Sequence, residues 1–272
     1  MLQGLSRLKV KIEAWNWLVI LAVGLLLLGW LLNTPSGLLG KADAVGYAVC
    51  HRIDLRSFHL GERPLPVCAR CTGMYLGAIL ALTFQFISGR RRAGAPPVWV
   101  MAILAVLVLA FAADGLNSFL NLIPGAPHLY APQNWLRLLT GTGMGLVIAA
   151  ALFPGFNQAV WVESDPRSAL SSWRHVTLFF ASALLLDLAV LSENSLVLYP
   201  LALVSAASVL VVLTIVYSMV WVMLLRAENH YRFASQLIFP FLGGFGFALA
   251  QIALLDFGRY LLTGTWDGFH LG

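Results

Sequence analysis

VWVMAILAVLVLAFAADGLNSFL, residues 98–120, is apolar around its whole circumference and carries one charge, Asp114. A run of roughly 20 such residues crosses the hydrocarbon core of a bilayer as a helix. It lacks the period-two alternation of a barrel strand, so a membrane β-barrel is excluded. Similar runs flank it on both sides: Trp15 to about Leu32, Cys71 to Ile87, Leu138 to Phe153, Val176 to Leu191, Leu196 to Leu225 and Ala234 to Leu262. The reading is an all-α fold, a polytopic integral membrane helical bundle of about seven transmembrane helices. The sixth and seventh spans reach about 45 Å if straight at about 1.5 Å per residue, so they must tilt or project beyond the hydrocarbon.

Composition agrees. With 272 residues, 60% hydrophobic and 11% charged, the chain has too little polar surface to cover a soluble globule of its size. The net charge of +5 does not call for a nucleic-acid partner, because the basic residues fall in short loops between spans, where they set topology. The expected partner is the lipid bilayer. No internal repeat is visible, which leaves an inverted-repeat transporter without support. We expect one membrane domain over 1–272, with 33–75 forming an outer loop and the start of the second span, and 154–272 adding three further helices.

Arg7, Lys9 and Lys11 precede the first span, and Trp15, Trp17 and Trp30 stand at its two ends as interfacial markers of an uncleaved anchor. A cytoplasmic N-terminus puts Arg7, Lys9, Lys11, Arg90, Arg91, Arg92, Arg167, Arg174, Arg226 and Arg232 inside. Lys41, Arg52, Arg56, Arg63, Arg70, Arg137 and Arg259 then lie outside. The bias predicts an N-in, C-out membrane protein, yet it leaves a knot of outer arginines that topology does not explain.

That knot belongs to residues 50–77, CHRIDLRSFHLGERPLPVCARCTGMYLG, where His, Cys and Arg are concentrated. Pro64 and Pro66 suit a helix entry, which places Cys68 and Cys71 at i, i+3 in the first turn of the second span. Thiolates bind zinc and other borderline or soft transition metals, and a Cys-x-x-Cys pair clasps one ion while distant ligands complete a tetrahedron. Cys50 is the natural third ligand, with His51 or His59 as the fourth. Two other readings stay open: a thiol-disulfide pair with lowered thiol pKa beside Arg70, and plain packing.

Arg52, Arg56, Arg63 and Arg70 are forked donors suited to phosphate or carboxylate, or to internal pairing with Asp114, Asp187 and Asp256. Asp114, Asn117 and Asn121 share one face of the third span, and Arg137 opens the fourth across the outer loop. Arg52, Arg56, Arg70, Asp114, Asn117 and Arg137 are therefore the expected anion or substrate pocket. Asp256 and Arg259, at i, i+3, are expected to neutralise one another. Gly73 with Gly77, and Gly141 with Gly145, have the spacing that lets the second and fourth spans pack closely.

At CHR, RSF and PVCARCTGMYLG, followed by Asp114, Asn117 and the Arg137 to Gly141 stretch, the chain resembles a prokaryotic family of predicted membrane proteins called domain of unknown function 2085. The resemblance covers roughly residues 45–150. It implies a shared membrane fold around Cys50, His51, Arg56, Cys68, Arg70 and Cys71 and assigns them no chemistry. The residues themselves point to a zinc site near the outer surface beside an arginine-lined pocket for an anionic lipid or small molecule. A membrane-embedded enzyme is the first reading. An accessory or solute-binding subunit with a structural metal, and a thiol-disulfide protein, are the alternatives.

Overall fold

The computed structural model describes the backbone of residues 2–269 and the side chains of 16–269, so the side chains of Arg7, Lys9, Lys11 and Trp15 lie outside the described residues. Among the described residues, helix is nearly the only regular structure. α1 is Leu2–Asn33, α2 Gly37–Val49, α3 Ala69–Ser88, α4 Val98–Leu120, α5 Asn134–Val160, α6 Trp173–Leu191, α7 Ser195–Leu224 and α8 Ile238–Thr263. Between α2 and α3 lie a 3-10 turn, Asp54–Arg56, and a hairpin of β1 His59–Leu60 and β2 Arg63–Pro64. Among the described residues, seven helices are long and apolar enough to cross a membrane. α2 is the exception, since its 13 residues rise only about 20 Å against a hydrocarbon core of about 30 Å.

α2 lies within the segment 33–75 expected to form an outer loop and the start of the second span, and it is packed on the bundle. Its Ala42, Ala44 and Val45 are buried against Ala206 and Val209 of α7 and Leu249 and Ile252 of α8. Tyr47 is fully enclosed, its hydroxyl donating to the carbonyl of Thr265 at 2.8 Å. The hairpin is also held down. Phe58 and Leu65 enter a cluster with Leu76 of α3, Leu138 of α5 and Leu198 of α7. A correction concerns α5, which runs on through Pro154 to Val160 instead of ending at Phe153. Its last turn is secured by Asn157, which donates to the carbonyl of Arg92 at 2.9 Å and accepts from the Trp161 indole at 2.9 Å.

The closest pairing in the bundle is α3 on α5. A methyl group placed on Gly73 or Gly77 would overlap the carbonyl of Leu138 or Thr142, and one on Gly141 or Gly145 would overlap that of Arg70 or Met74. Small residues let the two backbones touch, as their spacing predicts. The contact of Gly141 with Arg70 fixes the first turn of α3, and hence its side chains, against the first turns of α5.

Candidate metal and anion site

Cys50 follows the last residue of α2, Cys68 caps the N-terminus of α3, and Cys71 lies in that helix's first turn. α2 and α3 thus bring together sulfurs 18 and 21 positions apart in the chain. The three Sγ atoms all lie within 4.8 Å of one another, with Cys50 and Cys68 buried and Cys71 partly so. None is in a disulfide. Tetrahedral zinc with bonds of about 2.3 Å holds its sulfurs about 3.8 Å apart, so one ion would draw this group together by about 1 Å at most.

The backbone favours a thiolate. The amides of Arg52 and Cys68 approach Cys50 Sγ at 3.4 and 3.3 Å. Arg52, just beyond this contact, adopts a left-handed φ of 51°. That conformation costs a non-glycine residue energy and is found where the surroundings enforce it. Hydrogen bonds from the Cys68 and Cys71 thiols hold the Cys50 thiol well below its ordinary range, against the opposing effect of burial. The Cys68 thiol, whose hydrogen is committed to Cys50, is pushed up to about 12.

Neither histidine completes the set in this geometry. His51 Nδ1 accepts from the amide of Ile53 at 3.1 Å, and His59 Nε2 lies 3.1 Å from Asp54 Oδ1 on the exposed hairpin. The His51 imidazole is depressed below its ordinary value first by burial. Cys50 opposes this, and the positive fields of Arg56, Arg70 and Arg137 add to it.

Those three arginines form the second part of the site. Arg70 donates to Asp114 and, at 3.1 Å, to Ser118 Oγ; Arg56 donates to the carbonyl of Ser118 at 3.2 Å. Arg137 is 6% exposed and reaches Asn134 Oδ1 at 2.7 Å, while Asn134 donates to the carbonyls of Leu55 and Ser57. Asp114 accepts from Tyr130 as well, at 2.9 Å. It pairs with Arg70 alone, so among the described residues Arg56 and Arg137 have no carboxylate partner. The Nε atoms of Arg70 and Arg137 are buried without a hydrogen-bond partner. Guanidiniums so placed are suited to a bidentate anion.

Arg52, grouped with this pocket from sequence, turns the other way. Its left-handed backbone aims the side chain at Asp43, 2.9 Å away, and at the carbonyl of Trp266 at 3.0 Å; Arg63 shares Asp43. Asn117 is buried but serves the α4–α5 connection, accepting from the amide of Leu129 at 2.7 Å and donating to the carbonyl of Tyr130 at 3.0 Å. Asn121, beyond the end of α4, is exposed. The expected pair of Asp256 and Arg259 is not formed. Arg259 donates to the carbonyls of Tyr47 and Cys50, both at 2.7 Å, where the C-terminus of α2 concentrates negative potential. Trp30, read as an interfacial marker, is buried and donates to Asp256 at 2.9 Å.

Sequence reading missed Ser118, Tyr130 and Asn134. Ser118, one turn beyond Asp114 on α4, carried a signal in its spacing; Tyr130 and Asn134 sit in or beside a connection whose path the sequence does not fix.

Comparison with known proteins leads to the same segment. An uncharacterized protein of Methanocaldococcus jannaschii is 27% identical over 119 residues, covering 43% of this chain and 70% of that protein. An uncharacterized protein of Methanothermobacter thermautotrophicus is 29% identical over 101 residues, covering 37% of this chain and 81% of the relative. No solved structure matches. A family described as "Predicted membrane protein (DUF2085)" matches residues 50–151. The match begins at Cys50 and takes in all three cysteines, Arg56, Arg70, Asp114 and Arg137, so this site lies wholly within the stretch of this multi-pass membrane protein that is similar to that family.

Proposed function

We propose that Cys50, Cys68 and Cys71 bind one transition-metal ion, zinc fitting best, and that Arg56, Arg70 and Arg137 beside it hold the anionic head of a lipid or lipid-linked substrate. The observation that carries this reading is the group of three buried sulfurs within 4.8 Å. Three protein ligands leave a fourth position for water or substrate, the form of a catalytic site; His51 or His59 would fill it only after leaving its present bonds. A groove of about 500 Å³ supports a lipid substrate, since it runs from Cys50 and His51 past Leu254, Leu255 and Leu262, which are exposed on α8. Cys50, Cys68 and Cys71 would hold an ion able to supply Lewis-acid activation of a phosphoryl or carbonyl oxygen, and Arg56, Arg70 and Arg137 would offset the negative charge of the substrate head. We place this site on the outer face of a prokaryotic membrane, with the N-terminus in the cytoplasm.

The second reading is an accessory subunit with a structural ion. The cysteines join the end of α2 to the start of α3, so an ion there staples the two, and thiolate-rich sets are more often structural. Elemental analysis of the purified protein should give about one ion per chain, lost in Cys68→Ser and Cys71→Ser. Metal-free wild type with a Cys68–Cys71 disulfide would establish thiol-disulfide chemistry instead. Cobalt substitution then separates the first two readings. Visible bands that shift on adding inorganic phosphate mark an exchangeable fourth position, and bands indifferent to it mark a closed structural site.

A further inference from the structure

α1 rests mainly on α8, and between them lies a cavity of about 660 Å³ at the same end of the bundle as the cysteines. Its walls include Trp30 from α1, Phe257 and Tyr260 from α8, and Trp266 beyond α8. Asp256 lines it and is 3% exposed. One carboxylate oxygen accepts from Trp30 Nε1 at 2.9 Å; the other, Oδ1, is buried with no partner.

Lys41 and Arg259 are engaged elsewhere. The Lys41 ammonium, 5.9 Å from the centre of the Trp30 ring, gives its donors to the carbonyls of Leu31 and Thr34 and to Thr34 Oγ1. Arg259, one turn on from Asp256, is spent on the carbonyls of Tyr47, Cys50, His51 and Asp267. A lone acid at such depth is costly unless something pairs with it, and intramembrane acids without a protein partner mark ligand pathways. Aromatic faces around the carboxylate attract cations. The outer wall is lipid-facing, since Leu25 and Phe257 are 60% and 62% exposed.

From this we infer that the α1–α8 cavity binds the ammonium head of a single-chain membrane amphiphile. Asp256 accepts from the ammonium, Trp30, Tyr260 and Trp266 flank it, and the tail lies along Leu25, Leu26 and Phe257. The terminal torsion of the carboxylate is soft, so it meets a donor from the cavity without displacing α8. This site is separate from the cysteine and arginine cluster and needs no metal.

The probe is dodecylammonium, titrated into the full chain in phosphatidylcholine nanodiscs, with binding followed by tryptophan fluorescence and calorimetry. Saturable binding is expected, at least tenfold weaker in Asp256→Asn, with dodecanol showing none and ethylammonium binding far more weakly than the long amine. Unchanged affinity in Asp256→Asn, or equal binding of dodecanol, would reduce the cavity to an apolar groove. Equal binding of ethylammonium would remove the membrane amphiphile. Should Asp256→Asn fail to fold, Trp266→Ala keeps the question open to decision: its ring lies 5.5 Å from that of Tyr260, and its loss should weaken dodecylammonium severalfold. Wild-type affinity in that variant would overturn the proposal.

Discussion

The bundle has an arginine cluster at each end, and the two are built differently. At one end Arg56, Arg70 and Arg137 turn inward, half-buried or buried, around a single carboxylate. At the other, Arg90 lies exposed, 5.2 Å from the Phe86 ring, and Arg91 lies 4.5 Å from Trp161 while donating to the carbonyl of Arg232. The backbone there is stitched to the α5–α6 connection, the amide of Asp165 donating to Arg91 and that of Ala93 to Asp165, each at 2.8 Å. Asp165 in turn pairs with Arg167, whose side chain is 75% exposed. Both clusters are built from the same residue type, consecutive in the sequence at the second end and brought together from distant positions at the first. Convergence distinguishes them: Arg90 and Arg91 each lie against a separate aromatic ring, whereas bringing three half-buried or buried guanidiniums around one carboxylate needs a reason.

The sharpest test of that contrast removes the acid from each cluster. Asp114→Asn removes the charge that faces Arg70 and leaves one accepting oxygen for two donors, Arg70 and Tyr130, at a buried position, which should cost about 3 to 5 kcal/mol of stability and lower the detergent denaturation midpoint by many degrees. Asp165→Asn acts on a pair in water and should leave that midpoint unmoved. Equal effects at the two sites would abolish the distinction.

The next effect tests what holds the buried cluster in place. Gly141→Leu cannot fit against the Arg70 carbonyl and must push α5 off α3, with an overpacking cost of about 1 to 3 kcal/mol. Because Arg70, Cys71 and Arg137 are all carried by these two helices, metal content should fall along with the midpoint. Gly115→Leu on α4 meets nothing within 4 Å, and replacing a mid-helix glycine there should be neutral or slightly stabilising. A Gly141→Leu protein that keeps its metal and its midpoint would show that the α3–α5 contact does not place the cysteines.

Parts of this arrangement were legible in the sequence for plain physical reasons. A span must satisfy its own backbone in lipid, so Val98–Leu120 announces itself by composition. The four glycines announce the α3–α5 contact, because only small residues allow it. Cys68 and Cys71 sit at a helix start, as the prolines before them suggested, although Pro64 itself belongs to β2. α2 was hidden: it is too short to span and too apolar to read as a surface loop, and its place is set by α7 and α8, more than a hundred residues away. The partners of the arginines were hidden likewise. Asp43 reaches Arg52 and Arg63 only because the chain folds back through the hairpin, and Arg259 chooses helix-end carbonyls over the carboxylate one turn before it, a choice that local spacing does not encode.

The smallest effect on the molecule is expected at the Arg90-Arg91-Arg92 turn, and it decides which way the whole comparison faces. Arg90 is exposed and has no acid partner among the described residues, so Arg90→Cys should shift stability by less than about 0.5 kcal/mol. Ser36, between α1 and α2 at the cysteine end, is exposed as well, so Ser36→Cys should fold equally well. The native cysteines are buried or partly so and give a low background. On intact cells an impermeant maleimide should label Ser36→Cys and spare Arg90→Cys until the membrane is opened. The physical ground is that arginines kept in water near helix ends are retained on the cytoplasmic side during insertion, while buried arginines with ligands to hold need not obey that bias. The opposite labelling pattern would put the cysteines, the three converging arginines and the groove along α8 in the cytoplasmic leaflet. Their substrate would then have to come from that side, and the outer arginine excess that first drew attention to residues 50–77 would be an ordinary inside charge.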